Sequence, residues 1–396
     1  MSRPLRPRDA LGLLLITAGW LSLVAVSGQA VAEAWPGSGV TVGSGRRLNT
    51  SLRTARVRLH APGAQAAVAR CGRLEWAGAS GFDTSHRRRR VTDRTLFMLA
   101  STTKSVTATL VMQLVDEGRL SLDTPLSTFY PLLPNAPSIT VRMLLGHTSG
   151  LPDYLEDPGL SSLIDRRPRH HWRRDEVLAV LHHAQFSPGQ RYAYSNSNYV
   201  VLGGIVEKVA RDSIEHRYQV RIARPAGMSR STFAYRPGRL AEFARPYQEG
   251  PQNSLIDRST PGLGLGADYW GPVWTDGGLA STATDLARFS SALMGGRLTS
   301  SASLAAMTTL GRGQYGLGLY ALNYDGHVWV GHDGTYGGYE SESWTDRTRG
   351  VTVAVTIDIR ERDSAPDTAS SALWRSVVRA YDRVGDRSRT CGALTH

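Results

Sequence analysis

Apolar residues are spaced in different ways along this chain, which divides it into strand-like ends and a helical middle. At residues 54–80 the short runs "AQAAVAR" and "RLEWAGA" predict a β-hairpin with Cys71 and Gly72 at its turn. From residue 101 the apolar residues recur every three or four positions, as on one face of a helix, and Gly118 supplies a stop. The pattern therefore predicts a hairpin followed by a helix.

The strand pattern returns towards the C-terminus. Residues 120–290 continue as helices and loops, whereas "HVWVGHDG" (327–334) and "VTVAVTIDI" (351–359) have strand character. A final amphipathic helix is predicted at 368–384. Strands at both ends with helices between them indicate an α/β layer built from the two termini, with a helical domain inserted.

The first 52 residues are predicted to lie outside the folded domain. Three arginines within the first eight residues precede an apolar run at 11–26, and Ala-Val-Ala follows at 30–32. This order predicts a signal peptide over residues 1–32, cleaved before Glu33. An uncleaved membrane anchor is the alternative, because the apolar run is slightly long. Residues 33–52 are rich in Gly, Ser and Thr and are predicted to be a flexible leader.

Composition and charge say more about the possible partners of this protein than about its fold. The 396 residues, 41% hydrophobic and 20% charged, can bury the core of one large domain or two intimate ones. A net charge of +12 predicts attraction of an exported protein to anionic cell-wall polymers or a membrane surface. Nucleic acid is not expected as a partner, because the basic residues are spread out and the one dense run, "SHRRRR" (85–90), is most simply a solvated loop.

One of the two lysines in the chain follows a serine at the spacing S-x-x-K. Arginine supplies nearly all of the 46 basic residues, yet Lys104 stands three positions after Ser101. A lysine amine can lose its proton where arginine cannot, and a serine hydroxyl needs a neighbouring base to become a nucleophile. The alternative is a helix N-terminus with a solvated lysine.

A second motif, "RYAYSNSNYVV" (191–201), places Tyr194 and Asn196 just before an apolar helix. A tyrosine beside a lysine can act as a general base or proton relay, because a nearby cation favours its ionised form. An asparagine amide can both donate to and accept from a substrate amide. The alternative role is a helix cap formed by Asn196 or Asn198.

The third motif, "VWVGHDGTYGG" (328–338), ends a predicted strand in His332, Asp333 and Gly334. Glycine allows a ligand or another backbone to approach the edge of a strand. Such an edge can present backbone N–H groups to a developing oxyanion. On its own the motif would indicate a bulge or turn.

Taken in order, S-x-x-K, Y-x-N and H-x-G strongly resemble the motifs of the penicillin-recognising serine hydrolases. That family includes the D-alanyl-D-alanine carboxypeptidases, the class C β-lactamases, and related esterases and D-peptidases. The stretches "LLGHTSGLPDY" (144–154), "FSPGQRYAYSNSNY" (186–199) and "DGGLASTATDLARF" (276–289) match as well. The resemblance covers roughly residues 55–384.

The resemblance implies an α+β fold, β-lactamase/transpeptidase-like, in which a five-stranded antiparallel sheet flanked by helices carries an inserted all-helical domain. The hydrolase domain would span 53–396. Its sheet subdomain would comprise 53–100 and 290–396, and its helical subdomain 101–289. The active site would lie in the cleft between the two subdomains.

The resemblance also implies roles for the motif residues. Ser101 would be the nucleophile, and Lys104 and Tyr194 together would take its proton before an acyl-enzyme forms. The oxyanion would be held by the N–H groups of Ser101 and Thr335. Asn196 would hold the acyl-side amide of the substrate. The remaining substrate-binding positions in the third motif are His332, Asp333 and Gly334. No metal or cofactor is expected.

One departure from the family pattern affects the expected substrate. In the relatives compared, the middle residue of the third motif is usually Thr, which helps to bind the free carboxylate of the substrate. Asp333 would repel that carboxylate unless an arginine pairs with it. The expected activity is a D-alanyl-D-alanine carboxypeptidase acting on cell-wall peptides, with a broad-specificity esterase or a D-amino-acid peptidase or amidase as the alternative.

A non-catalytic wall-binding protein and a metal hydrolase are the alternatives from other functional classes. A non-catalytic wall-binding protein would be expected to lack Ser101, Lys104 or Tyr194, and all three are present. A metal hydrolase is disfavoured, because adjacent histidines on a helix point about 100° apart, so each pair offers at most one ligand. The histidine pairs concerned are His170-His171 and His182-His183. A structural, hydrogen-bonded role is expected for His147, and cleft-lining or core packing for Trp270 and Trp274.

The two cysteines, Cys71 and Cys391, are expected to form a disulfide in an exported protein. Their proximity is implied by the resemblance, which places the last strand beside the first and returns the final helix towards the hairpin tip. Two free thiols are the alternative. We expect the protein to be secreted or attached to the cell envelope, and to be a monomer.

Overall fold

The computed structural model describes residues 42–86, 88–167, 170–233, 242–259, 272–360 and 368–384. Four sequence-based predictions therefore fall on positions outside the described residues. These are the signal peptide at 1–32, the first part of the leader at 33–41, Trp270 and Cys391. Among the described helices, none combines the length and apolar character that a bilayer-spanning helix needs.

Strands come from both ends of the chain, as the apolar pattern predicts. In chain order the strands are β1 (Gly63–Arg70), β2 (Arg73–Gly81), β3 (Phe97–Met98), β4 (Thr232–Phe233), β5 (Tyr247–Glu249), β6 (Leu255–Asp257), β7 (Leu279–Ser281), β8 (Tyr320–Tyr324), β9 (His327–Tyr336), β10 (Tyr339–Asp346), β11 (Val351–Ile357) and β12 (Ile359–Arg360). The main sheet is antiparallel with the order β2-β1-β11-β10-β9-β8.

The helices alternate with these strands and fill the middle of the chain. In chain order they are α1 (Val42–Arg58), α2 (Thr103–Asp116), α3 (Val141–Leu145), α4 (Pro158–Arg166), α5 (Arg174–Leu178), α6 (Asn196–Ala210), α7 (Ile214–Tyr218), α8 (Arg224–Ala226), α9 (Ala283–Met294), α10 (Ser301–Thr308) and α11 (Ala369–Val384). The predicted α+β class is confirmed.

The predicted hairpin is the β1–β2 pair. Cys71 and Gly72 form its turn with φ angles of 49° and 77°, a left-handed conformation that glycine adopts without steric cost. Arg70 lies opposite Val351, so the last long strand begins beside the hairpin tip. The structure records Cys71 as disulfide-bonded. Its pairing with Cys391 stays a prediction.

Three details differ from the sequence-based expectations. The main sheet has six strands rather than five, because β8 adds an outer strand beside β9. Short strands β4 to β7 interrupt the stretch that the pattern predicts as helices and loops only. Helix α9 crosses the predicted subdomain boundary at residue 289 and packs on β1, β10 and β11 of the main sheet.

The predicted flexible leader is wrong for residues 42–52, which form most of helix α1. Leu48 and Leu52 are buried with Ala55, at the spacing of one helical face. Helices α1 and α11 pack together over one side of the sheet, in a core that contains Trp329, Trp344 and Trp374. Because this segment begins with a Gly-Ser-rich stretch, the helical spacing of the apolar residues after it is not evident from the sequence.

The other side of the sheet supports the helical region. Helix α2 lies at its centre, and every residue from Thr103 to Leu114 is buried. Helices α6 and α9 pack in the same core, with α6 against α2. This arrangement holds the first turn of α2 against β9 of the main sheet. The first and third sequence motifs therefore meet.

Candidate active site

Ser101 lies in a 3-10 turn, Ala100–Thr102, that leads directly into helix α2. Its neighbour Ala100 has a φ of 46°, which is uncommon for a residue with a side chain and indicates a sharp turn. Ser101 remains half-exposed, whereas Thr102 and Lys104 are buried. The turn presents the serine hydroxyl to a cavity at the end of the helix.

Lys104 is buried beside Ser101. Its Nζ lies 3.0 Å from Ser101 Oγ, 2.6 Å from Asn196 Oδ1 and 2.7 Å from the carbonyl oxygen of Asp276. A neutral amine has two N–H groups and one lone pair. The two N–H groups can satisfy the two amide oxygens, which leaves the lone pair directed at the serine hydroxyl. The geometry thus suits Lys104 to accept the proton of Ser101.

The pKa of Lys104 supports that role. Burial is the largest effect on this pKa and lowers it from 10.5 to about 8, while the negative charges of Asp276, Asp153 and Asp333 act in the opposite direction. A lowered pKa leaves an appreciable fraction of the amine neutral near physiological pH. An arginine at this position would stay charged.

Tyr194 is the third catalytic candidate, and it forms a hydrogen bond with Ser101. Its ring lies 4.9 Å from Lys104 Nζ and stacks on buried His147 at a centroid distance of 4.3 Å. Burial raises the pKa of Tyr194 well above 10, although its hydrogen bond with Ser101 acts in the opposite direction. Tyr194 is therefore a neutral phenol, suited to relaying a proton rather than holding a negative charge.

Asn196 is the first residue of helix α6. Neither Asn196 nor Asn198 caps this helix, since Ser195 is the N-cap and makes no side-chain cap bond. The Asn196 amide accepts from Lys104 and donates to Asp153 Oδ2 at 2.7 Å. Asn196 thus orients Lys104, and its predicted contact with substrate stays a prediction.

Two buried carboxylates, those of Asp153 and Asp276, also belong to the site, although neither residue is part of the three sequence motifs. Asp153 accepts from the side chain and the backbone N–H of Asn196. Asp276 accepts from Tyr154 Oη at 2.7 Å and from the backbone N–H of Trp274 at 2.8 Å. Both lie in stretches that match the family, "GLPDY" and "DGGLAST", but neither stretch by itself indicates contact with a catalytic lysine.

The third motif forms the end of β9, next to Ser101. A Cβ at Gly334 would lie 2.6 Å from the Ser101 amide nitrogen and 2.3 Å from the Leu99 carbonyl oxygen, which is too close for any side chain. Strand β8 pairs with β9 only as far as Gly331. The edge of β9 beyond that point faces the cavity, where Thr335 also lies. An oxyanion role for the Thr335 N–H fits this position and stays a prediction.

His332 is buried and neutral. Burial is the largest effect on its pKa and lowers it from 6.5 to about 4. Its Nδ1 lies against the Asp333 carbonyl oxygen and its Nε2 lies 2.9 Å from Tyr315 Oη. The neutral ring therefore donates from Nδ1 and accepts from the tyrosine at Nε2. His332 therefore gives the cavity a neutral polar lining residue, and its predicted contact with substrate stays a prediction.

These groups surround a cavity of about 410 Å³. Six of the eight predicted catalytic and substrate-binding residues line it, while Lys104 and Asn196 lie behind Ser101. The lining residues are Ser101, Tyr192, Tyr194, Gly313, Tyr315, Tyr320, His332, Asp333, Gly334 and Thr335. The sequence motifs do not indicate Tyr192, Tyr315 or Tyr320, which reach the cavity through folding alone.

The remaining candidate residues lie elsewhere. His147 has the expected structural role: it accepts a hydrogen bond from the Ser195 N–H at 3.1 Å. His170 pairs with Glu176 at 3.0 Å. Trp274 packs against the helical core with the Arg174 guanidinium 4.5 Å from its ring. Among the described residues, no group of three His, Cys, Asp or Glu side chains is arranged to hold a metal ion.

The pH dependence of turnover is expected to report the ionisation of Lys104. Since only the neutral amine can accept the Ser101 proton, kcat/KM for a neutral ester should rise with pH through about 8 and then level off. Burial also raises the pKa of Glu342 to about 7, so Glu342→Gln is the control. The inflection near 8 should persist in this variant. A flat profile between pH 6 and 9 would contradict the base role of Lys104.

Comparison with known proteins gives three informative similarities. A family model described as Beta-lactamase matches residues 48–373. Penicillin-binding protein 4 of Amycolatopsis lactamdurans is 30% identical over 320 residues, covering 72% of this chain and 77% of that protein. Esterase EstB of Burkholderia gladioli is 35% identical over 204 residues, covering 48% of this chain and 50% of the esterase.

Among solved structures, a D-stereospecific amidohydrolase from a Streptomyces species has a TM-score of 0.69 and 28% sequence identity. The match covers 85% of this chain and 98% of the amidohydrolase. The chain spans about half the length of several curated relatives that it matches. The similar proteins thus share one fold and carry names of different activities.

Proposed function

This chain belongs to the Beta-lactamase family of serine hydrolases, and on that premise we propose that it cleaves esters or amides whose leaving group carries no carboxylate. The observation that carries the proposal is the position of Asp333. Asp333 lines the same cavity as Ser101. The side chain of Asp333 is 39% exposed, so it meets whatever occupies the cavity.

The proposed reaction proceeds through an acyl-enzyme. Ser101 Oγ attacks the substrate carbonyl carbon while its proton moves to Lys104 Nζ, and the carbonyl oxygen becomes an oxyanion near the Ser101 and Thr335 amides. When this intermediate collapses, the bond to the leaving group breaks. The departing oxygen or nitrogen takes the proton from Lys104 through Tyr194. Water then attacks the acyl-enzyme ester and gives its proton to Lys104. The bond between Ser101 Oγ and the acyl carbon breaks, Oγ takes this proton from Lys104, and the acid is released.

Charge argues against a leaving group with a carboxylate. A second carboxylate placed near Asp333 would be repelled, unless a cation lay between the two. Two described arginines adjoin cavity-lining residues in the sequence, and both have contacts of their own: Arg312 donates to the Gln190 carbonyl at 2.9 Å, and Arg191 lies 4.3 Å from the Phe186 ring centroid. A D-alanyl-D-alanine carboxypeptidase is therefore the less favoured activity. The names of the Burkholderia esterase and the Streptomyces amidohydrolase agree with the favoured one.

The cellular setting is also a proposal. Residues 1–32 have the features of an export signal, and the net charge of +12 favours contact with anionic wall polymers or a membrane surface. We therefore place the enzyme outside the cytoplasm or at the cell envelope, acting as a monomer on a small peptide or ester. Neither a cofactor nor nucleic acid enters the proposed reaction.

Asp333→Thr is expected to improve the use of substrates that end in a free carboxylate. The test measures kcat/KM for release of D-alanine from an acyl-D-alanyl-D-alanine peptide, and of D-alaninamide from its C-terminal amide. The wild-type enzyme should favour the amide by about tenfold, and the variant should reduce that ratio, because a like charge has been removed.

Labelling of Ser101 by a fluorophosphonate probe shows in the same samples that the site is competent. An unchanged ratio in Asp333→Thr would contradict the assigned effect of Asp333. A wild-type preference for the free acid would reinstate the carboxypeptidase.

A further inference from the structure

We propose that the cavity beside Ser101 contains a cation-binding subsite, formed by the Asp333 carboxylate and four tyrosine rings, that selects substrates carrying an ammonium group. This inference rests on the proposed ester or amide hydrolysis and names its substrate class. The subsite is defined by five residues that line the cavity: Tyr192, Tyr194, Tyr315, Tyr320 and Asp333.

The four tyrosine rings form a connected cluster. Tyr315 lies at the centre, with its ring centroid 5.9 Å from that of Tyr320, 6.1 Å from that of Tyr192 and 6.4 Å from that of Tyr194. Aromatic faces carry partial negative charge and attract cations to within about 6 Å of the ring centre, quaternary ammonium groups included. A cavity of about 410 Å³ with four such rings has room for a trimethylammonium group and an acyl chain.

Most of the tyrosine hydroxyls already have partners inside the protein. Tyr320 Oη donates to Asp333 Oδ1, Tyr315 Oη donates to His332 Nε2, and Tyr194 bonds to Ser101. Among the four, the partly exposed rings of Tyr192, Tyr194 and Tyr320 therefore offer aromatic surface rather than free hydroxyl groups to a ligand. This favours a cation over a sugar or another polar neutral group, which would require free hydrogen-bond donors and acceptors.

Asp333 supplies the formal charge. His332 is neutral, and of the described residues that line the cavity Asp333 is the one with a carboxylate side chain. Its negative charge adds to the effect of burial in raising the pKa of Tyr192, which indicates that the two groups are close. Lys104 Nζ lies 4.9 Å from the Tyr194 ring centroid, and the negative charges of Asp276 and Asp153 act against its positive charge.

The cluster is held in a rigid frame. Gly313 has a φ of 69°, and a Cβ there would lie 2.5 Å from the Tyr192 ring, so glycine allows this loop to close on the tyrosine. Buried His147 packs on the other rings, with centroids 4.3 Å from Tyr194 and 4.8 Å from Tyr315. A preformed site loses less entropy on binding than one that must be ordered by its ligand.

A metal ion is a poor occupant of this subsite. Hard cations such as Ca²⁺ and Mg²⁺ require about six oxygen ligands, several of them charged or carbonyl oxygens. Among the described cavity-lining side chains, Asp333 offers the one carboxylate. A large, weakly hydrated organic cation matches one carboxylate and several aromatic faces much better.

The test uses pairs of substrates that differ only in charge. For the leaving-group side the pair is butyrylcholine and its carbon isostere 3,3-dimethylbutyl butyrate. For the acyl side the pair is the phenyl esters of 4-(trimethylammonio)butyrate and of 5,5-dimethylhexanoate. In at least one pair, kcat/KM should be about tenfold higher for the cation with the wild-type enzyme, and Asp333→Asn should bring that ratio close to one.

A matched control separates the local charge from the overall charge of the enzyme. Asp325 is exposed in the β8–β9 turn at a φ of 51°, which asparagine tolerates, so Asp325→Asn removes the same charge outside the cavity. The cation preference should survive in this variant. Equal loss in Asp325→Asn and Asp333→Asn would reject the subsite in favour of a general surface effect.

A measurement without turnover distinguishes failure of the subsite from failure of the proposed function. Choline should slow fluorophosphonate labelling of Ser101 more strongly than its neutral isostere 3,3-dimethylbutan-1-ol does. If the neutral esters are hydrolysed by the wild-type enzyme while neither pair nor the labelling shows a charge preference, the cation subsite is refuted and the proposed function stands. If labelling shows the preference but no ester or amide is hydrolysed, the proposed function fails instead.

Discussion

Ser101→Ala is expected to lower kcat for any hydrolysed ester or amide by at least about a thousandfold, because it removes the oxygen that forms the acyl-enzyme. The contacts of Ser101 support this size of effect. Its Oγ lies 3.0 Å from Lys104 Nζ and is hydrogen-bonded to Tyr194. Both groups that could transfer its proton therefore contact the same hydroxyl. The variant should still fold, since only one half-exposed oxygen is lost.

Three measurements decide this prediction. Steady-state kinetics gives the loss of kcat, fluorophosphonate labelling gives the loss of the nucleophile, and the melting temperature shows whether the fold is retained. Ser138→Ala, at an exposed serine that does not line the cavity, serves as the control and should behave as wild type. Retention of more than about one per cent of kcat in a folded Ser101→Ala variant would rule out Ser101 as the nucleophile.

Lys104→Arg is expected to lower kcat nearly as much as Lys104→Ala, by about a hundredfold to ten-thousandfold. Arginine keeps the positive charge but cannot take the proton of Ser101. It also cannot reproduce two donated bonds and one accepting lone pair on a single nitrogen. The substituted position is fully buried, so loss of folding has to be separated from loss of chemistry.

The other lysine of the chain provides the control. Lys208 lies 3.8 Å from the Tyr130 ring centroid and donates to the Phe129 carbonyl, outside the cavity. Lys208→Arg should therefore keep wild-type activity. Lys104→Met, a neutral residue of similar length, reports whether the site folds without the amine. If folded Lys104→Arg kept wild-type kcat, Lys104 would act only as a charge and Tyr194 would have to be the base.

The structure changes the division of labour between Lys104 and Tyr194. Burial disfavours the charged form of both side chains, and it therefore shifts their pKa values in opposite directions. For Lys104 the charged form is the ammonium, so burial lowers the pKa to about 8 and makes the amine a usable base. For Tyr194 it is the phenolate, so burial keeps the phenol protonated. We therefore propose Lys104 as the base and Tyr194 as the relay to the leaving group.

The chemistry of the site follows from short stretches of sequence. Ser101 lies in the 3-10 turn that leads into α2, and Lys104 lies in the first turn of α2. Their spacing of three residues places both side chains on one side of this helical segment. The hairpin with Cys71 and Gly72 at its turn and the strand at 351–357 are likewise set by local patterns of apolar residues and turn residues. Local patterns are reliable in such cases because the interactions that produce them lie within a few residues.

Where local signals were weak or mixed, the predictions failed. Residues 42–52 combine a Gly-Ser-rich start with a helical face at Leu48 and Leu52, and only packing against the sheet decides that they form a helix. The side chains of the outer strand β8 are only partly buried, so its sequence shows a weaker apolar pattern than the sequences of the central strands. Its presence depends on pairing with β9.

The substrate-facing part of the site was decided by tertiary structure. The Asp276 carbonyl that orients Lys104 comes from 172 residues away along the chain, and the rings of Tyr315 and Tyr320 come from a segment far along the chain from Tyr192. Sequence by itself determined which residues can act as nucleophile and base, because that chemistry depends on residue type and local spacing. Only folding determined the pKa of each group and the surroundings of Asp333, because burial and charge–charge distances exist only once distant segments have packed together.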